Sequence, residues 1–284
     1  MKWSDCRTPA ARLTRPGSAL GALAALALAA LLPAAAAAAD WSDTEVQYVT
    51  GSKFREPFNP GPANDTDVSR WILTLQHASG HKLGRNFFFV DMLTSTKGEP
   101  GNRKDGEVYG EWYSSLSLSK ATGSKMEFGP IRDLNLTGGI NYGAKSNGAN
   151  PRVWLYGATV DFAVPGFIFL NVDFLRYDDR GHFNGVDQNN KATWQVSPAW
   201  LSKFSLGPTK WVFTGHVDFI GKRCDGALCD SEILAQPELK MDVGTFFGKP
   251  DTLFVGLEYN YWKSKFGFKG LDENNPQLQV AWKF

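Results

Sequence analysis

The feature that most constrains this chain is a period-two alternation of apolar and polar residues that recurs along almost its whole length. In EVYGEWYSSLSLS, Val108, Gly110, Trp112, Leu116 and Leu118 fall on one face, and Glu107, Tyr109, Glu111, Tyr113, Ser115 and Ser117 on the other. SEILAQPELKMDV sets Ile233, Ala235, Pro237, Leu239, Met241 and Val243 against Glu232, Gln236, Glu238, Lys240 and Asp242. Successive side chains of a strand point to opposite sides of a sheet, so this period specifies strands with one apolar and one polar face. About twelve such segments occur, near residues 45–54, 67–78, 83–94, 107–120, 131–143, 152–163, 166–179, 191–204, 210–220, 231–244, 251–263 and 276–284. Helical periodicity is almost absent beyond residue 39.

The connections between these segments fall into two alternating classes. Those after even-numbered segments are mostly tight, as in SGHK, VPG, SLGPT and FGKP. Those after odd-numbered segments are longer and polar, as in REPFNPGPAND, TSTKGEPGNRKDG and YDDRGHFNGVDQNN. A water-soluble sandwich has no reason to keep such an asymmetry, whereas a bacterial outer-membrane barrel does. Closure also leaves no strand edge unpaired in lipid. The expected fold is therefore all-β: a transmembrane, antiparallel up-and-down β-barrel of about twelve strands, with short periplasmic turns and longer extracellular loops.

The first 39 residues differ from the rest. Lys2, Arg7, Arg12 and Arg15 precede an apolar run from about Ala19 to Leu32, then an alanine tract runs up to Asp40. This pattern predicts a cleaved secretory signal peptide over 1–39 and a barrel over 40–284. Cleavage removes those four bases and Asp5, moving the net charge from +1 to about −2, which excludes the basic footprint of a nucleic-acid binder. Cys6 departs with the signal, leaving Cys224 and Cys229, a pair that an oxidising compartment could close into a small loop. Their spacing, with no His or third Cys nearby, does not suit a metal, and no cofactor is expected.

The chain ends QLQVAWKF, with Leu278, Val280, Trp282 and Phe284 on one face. An apolar last strand with a terminal aromatic resembles the address that outer-membrane barrels present to their assembly machinery. Trp41, Trp71, Trp112, Trp154, Trp194, Trp200, Trp211, Trp262 and Trp282 read in part as residues of an interfacial girdle. The opposite, polar faces would line a lumen of mixed charge that includes Glu45, Gln47, Lys53, Arg70, Asp91, Glu111, Asp133, Asp173, His216, Asp218, Lys240 and Glu258. Phe87, Phe89, Tyr109 and Tyr113 interleave with them. Aromatic faces stack on flat rings and carboxylates accept from hydroxyls, so the mixture suits a neutral ligand with a ring and a sugar, or a carbohydrate.

The stretch EVYGEWYSSLSLSKATGSKMEFGPIRDLNL resembles the central segment of the Tsx-type nucleoside-specific channel family, which includes OmpK-like proteins. The residues that carry the likeness are Glu111, Ser117, Lys120, Phe128, Gly129, Pro130, Ile131, Arg132 and Asp133. WSDTEVQYVTGSKFREPF and NFFFVD resemble that family's first and third strands, and the likeness weakens beyond about residue 145. The resemblance implies a monomeric barrel in the outer membrane, embedded in its lipid, through which nucleosides pass passively along several weak sites. It places the family's lumenal glutamate on Glu111, while a second family glutamate meets Tyr113 here. The family's binding aromatic falls on Phe54 or Phe58. The implied ligand set is thus Phe54, Phe58, Arg70, Phe87, Phe89, Asp91, Tyr109, Glu111, Tyr113 and Asp133. The resemblance also suggests that external loops serve as phage or toxin receptors.

Two other readings belong to different classes. A structural or receptor barrel with a plugged lumen would pass no solute. A barrel lipid hydrolase would need a His–Ser pair, and His77 and Ser79 in LQHASGHK are two residues apart; they lie at an expected turn with no Asn or Asp evident to orient the imidazole, so an enzyme is not expected.

Overall fold

The computed structural model describes residues 39–57, 66–99, 106–145, 148–183, 186–187, 190–224 and 229–284. Residues 1–38 of the expected 1–39 signal segment, and Phe58, lie outside them. The barrel strands are β1 (Trp41–Phe54), β2 (Val68–His81), β3 (Gly84–Lys97), β4 (Gly106–Ser117), β5 (Ile131–Lys145) and β6 (Arg152–Phe162). They continue as β7 (Phe169–Asp179), β8 (Thr193–Leu206), β9 (Thr209–Ile220), β10 (Glu232–Asp242), β11 (Leu253–Lys263) and β12 (Glu273–Lys283).

Each strand pairs antiparallel with its neighbours in sequence, and β1 pairs with β12 through Glu45↔Lys283 to Thr50↔Leu278, so the sheet closes. The twelve strands correspond to the twelve alternating segments of the sequence. The terminal alternation thus has a structural role, since the last strand completes the hydrogen bonding of the first. The Phe284 amide adds a bond to the Thr44 carbonyl.

Alternation sorts the side chains as the sequence requires. Val108, Trp112 and Leu116 on β4, Trp154 and Tyr156 on β6, and Leu278, Val280 and Trp282 on β12 are exposed on the outer surface. A continuous outer band of this kind is stable against hydrocarbon and unstable against water. Trp71 stacks on Tyr48 with ring centroids 6.5 Å apart. Trp262 departs from the girdle: it faces inward and donates through Nε1 to Glu232 at 3.2 Å.

One inward assignment is corrected. Residues 45, 47 and 49 of β1 face inward, and the same phase would carry Lys53 into the lumen. The register shifts between Gly51 and Phe54, which seats Phe54 inside and leaves Lys53 exposed. A bulge adds one residue to one strand, so every later side chain on it changes face.

At one end, β2–β3 and β8–β9 are joined by residues 82–83 and 207–208 alone, yet residues 118–130 and 243–252 make longer excursions. The first begins with a short helix, α1 (Leu118–Thr122), where Ser117 Oγ accepts from the Lys120 amide at 3.1 Å and Gly123 closes the turn at φ 70°. The hydroxyls and amides of SLSKATG satisfy one another here, so the alternating pattern stops at Ser117 rather than near residue 120. At the other end Ala149–Asn150, His182–Phe183 and Val186–Asp187 form a small separate sheet.

Candidate functional site in the lumen

A cavity of about 1450 Å³ runs inside the barrel, lined from Trp41, Asp43 and Lys283 at the tight-turn end to His182, Arg223 and Phe268 at the other. That exceeds the roughly 300–1,000 Å³ of a pocket for one small ligand and suits a file of them. Three layers of side chains divide it.

The middle layer is built on β3 and β4. Antiparallel register places Phe87 opposite Tyr113, Phe89 opposite Glu111, and Asp91 opposite Tyr109. Directly opposed side chains on one face are in contact range, so six of the residues singled out in the sequence form one patch. Phe87 and Phe89 lie 6.1 Å apart between ring centroids and tilted, and Phe89 and Tyr109 lie 5.9 Å apart. Glu111 accepts from the Tyr109 hydroxyl and from Asn141 Nδ2 at 2.9 Å. Asp91 accepts from Thr74 Oγ1 at 2.6 Å. The facing walls carry Ser197, His216, Asp218, Gln236 and Glu258.

The layer at the long-loop end is an ion-pair cluster. Arg70, on β2, donates through Nε to Ser95 Oγ at 2.7 Å and pairs through Nη2 with Glu56 and Glu99. Lys145 Nζ, on β5, lies 3.0 Å from Glu56, 3.3 Å from Glu99 and 3.7 Å from Glu107. Glu56 and Glu99 belong to connections, so the two bases hold loop residues against the wall. Burial works to raise the Glu56 carboxyl, but Arg70, Lys265 and Lys145 outweigh it and hold the group at about 2. Nearby, Arg223 pairs with Glu232 at 2.9 Å, receives Asp179 at 3.5 Å and donates to the Tyr177 hydroxyl at 2.7 Å. Burial pulls the Arg223 guanidinium down, and the charge of Glu232 with its neighbours more than restores it, leaving it above its usual value. The Cys224–Cys229 disulfide, left open by the sequence, is formed beside this group.

At the tight-turn end Arg85 makes a two-pronged pair with Asp161 at 2.6 and 2.7 Å, bridging from β3 to β6 across the lumen. Asp133 also lies at this end, accepting from the Ser117 and Ser119 hydroxyls and from the Ser119 and Leu134 amides.

The ligand set expected from the sequence is therefore divided. Phe87, Phe89, Asp91, Tyr109, Glu111 and Tyr113 come together. Phe54 is buried one layer outward with the Arg70 guanidinium 5.4 Å from its ring centre, and that guanidinium is occupied by carboxylates. Asp133 stands at the opposite end, holding α1. His77 accepts or donates at Nδ1 with Thr44 at 2.7 Å and stacks on Phe88, away from the lumen. Sequence reasoning missed Glu56, Glu99, Lys145, Arg85, Asn141 and Arg223. Asn141 was accessible from strand alternation; the loop acids carry no periodic signal.

The closed barrel, apolar outside and polar inside, defines a membrane-spanning β-barrel. No family model matches the chain, and no curated protein matches it. Among solved structures, the translocator domain of the autotransporter NalP from Neisseria meningitidis is similar at 15% identity and a TM-score of 0.42, covering 93% of this chain and 98% of that one. The beta domain of the Bordetella autotransporter BrkA aligns at 9% identity and a TM-score of 0.44, over 86% of this chain and 99% of that one. OprB of Pseudomonas putida aligns at 9% identity and 0.38, over 90% and 97%.

Proposed function

We propose that the protein is a bacterial outer-membrane channel for passive, substrate-selective uptake of nucleosides. The observation that carries this reading is the β3–β4 patch, where Phe89 stands opposite Glu111 and Asp91 opposite Tyr109 within a cavity that extends along the barrel. A planar base stacks on Phe87, Phe89 and the tyrosine rings, and ribose hydroxyls donate to Asp91 and Glu111. Transport requires sites firm enough to admit a solute and weak enough to release it, so affinities are modest and the concentration gradient drives net flow. The protein works as a monomer in outer-membrane lipid, with Phe284 contributing to recognition by the barrel-assembly machinery, and the long loops offer surfaces for phage or toxin attachment.

The test is flux into liposomes containing the purified protein, comparing nucleosides with a free base, a pentose, a disaccharide and an amino acid. Saturable nucleoside entry that outruns the controls supports selectivity. Equal entry of all solutes makes the protein a general pore. The ion-pair cluster at the long-loop end favours a second reading, a receptor barrel with a closed lumen, and absence of any flux would select it.

A further inference from the structure

We infer that the middle of the lumen is a site for donor-bearing cationic solutes, such as primary organic ammonium compounds. This extends the channel reading to a second class of permeant and rests on that reading only for access.

Asp91, Glu111, Asp173, Asp218 and Glu258 all face the same stretch of cavity. Each carboxylate is held by neutral donors: Thr74, Tyr109 with Asn141, Thr159 with Asn171, Ser197 with Gln195, and Gln236 respectively. Lys240 and Arg85 are engaged by carboxylates outside this set, while His216 sits beside one of the five. Lys240 is claimed by Glu238 at 2.9 Å and Glu45 at 3.6 Å, and Arg85 by Asp161. His216 Nε2 stands 3.7 Å from Asp218. Glu238 and Glu258 are directly opposed across β10 and β11, and Lys240 beside Glu238 supplies one positive charge to the two carboxylates.

A second, independent observation points the same way. Asn141 is 5% exposed and Gln195 3% exposed, and the side-chain oxygen of each has no hydrogen-bond partner. Their orientation is fixed, because Asn141 Nδ2 donates to Glu111 and Gln195 Nε2 to Asp218; turning either amide over would set oxygen against carboxylate. Asn260 repeats the motif, with Nδ2 on Glu273 and Oδ1 unpartnered. Gln277, opposite Glu258, leaves both its oxygen and its Nε2 unpartnered, and Asn275, opposite Asn260, leaves its Nδ2, so donors are present as well. With five carboxylates beside the Asn141 and Gln195 oxygens, acceptors are the larger share of what is left at this level. A hydroxyl-only solute can satisfy part of it. An ammonium group supplies several donors and a compensating charge together, while an anion meets repulsion from the carboxylates of this layer.

The test uses three sugars of similar size: glucosamine, glucose and glucuronate, at about pH 6, where the amino sugar is protonated. In vesicles holding the full protein, glucosamine should enter about tenfold faster than glucose, and glucuronate slowest, a ratio equivalent to about 1.4 kcal/mol. The pair of substitutions Asp173→Asn and Asp218→Asn should bring glucosamine and glucose to near parity; Glu258→Gln serves the same purpose if that pair does not fold. Equal rates for the three sugars in the unsubstituted protein, or a glucosamine advantage that survives the substitutions, would overturn the assignment. If no sugar enters, calorimetric titration of glucosamine and glucose into the detergent-solubilised protein decides, and absence of preferential glucosamine binding refutes the site. Nucleoside flux in the same vesicles reports separately on the uptake reading.

Discussion

Phe89 and Glu111 face each other across the β3–β4 ladder, an aromatic surface and a carboxylate acceptor one strand spacing apart. A nucleoside presents a stacking face and a set of hydroxyl donors over the same short reach. Stacking of a base on an aromatic side chain contributes about 1–3 kcal/mol. Phe89→Ala should therefore weaken nucleoside competition in the flux assay about tenfold or more while leaving pentose entry nearly unchanged. An equal change for both solutes would assign Phe89 to wall packing alone.

Arg70 offers a contrast. Its guanidinium holds Glu56 and Glu99 and is nearly inaccessible, so Arg70→Ala leaves two carboxylates in the cluster without their main counter-charge. Breaking a buried pair in this way costs about 3–5 kcal/mol. Denaturant unfolding in lipid vesicles should show a loss of that order, together with faster proteolysis of the β1–β2 connection. A stability unchanged by the substitution would show that water or another base replaces the guanidinium.

The Glu56 carboxyl gives this cluster a pH signature. Its value is about 2 in the folded protein against an ordinary 4.5, so the folded state holds its proton less tightly than the unfolded state. The stabilisation is complete above pH 4.5, declines as pH falls from there to about 2, and is gone below. Hydrogen exchange near residues 55–57 should accelerate across that acid window in the native protein and lose the dependence in Glu56→Gln.

The Cys224–Cys229 bond closes a loop five residues in sequence separation, for which chain-entropy estimates give about 2 kcal/mol. Reduction should increase exchange around residues 221–224 and 229–231 and leave the barrel strands protected. Its expected reach is local, because the adjoining contacts of Arg223 with Glu232 and Tyr177 do not depend on sulfur.

Phe284 and Trp282 lie on the outer surface of the closing strand. Phe284→Ala should reduce the amount of protein that reaches the outer membrane in cells while refolding in detergent proceeds normally. A defect in both would indicate a role in barrel closure.

The strands and their faces were legible in the sequence because period-two alternation is local: each residue reports its own side of the sheet. That reasoning placed Glu107, Tyr109, Glu111 and Tyr113 on one inward face, and Trp112 and Leu116 outside. It failed at Lys53, where a bulge changes the phase without any local signature, and at Trp262, which is apolar in character but faces a lumenal carboxylate.

The sequence by itself determined a barrel of twelve alternating strands, with an apolar exterior and a polar interior, and the composition of the inner wall. Which inner residues meet was decided only by closure of the sheet. Arg85 reaches Asp161 across two intervening strands, Lys145 reaches Glu56 and Glu99 from connections far away in sequence, and Lys240 finds Glu45 past β11 and β12. Such pairings depend on the curvature and stagger of the closed sheet, which set the height and direction of every side chain together. They engage Arg85, Lys145 and Lys240, and so they also influence which acceptors remain available to a solute.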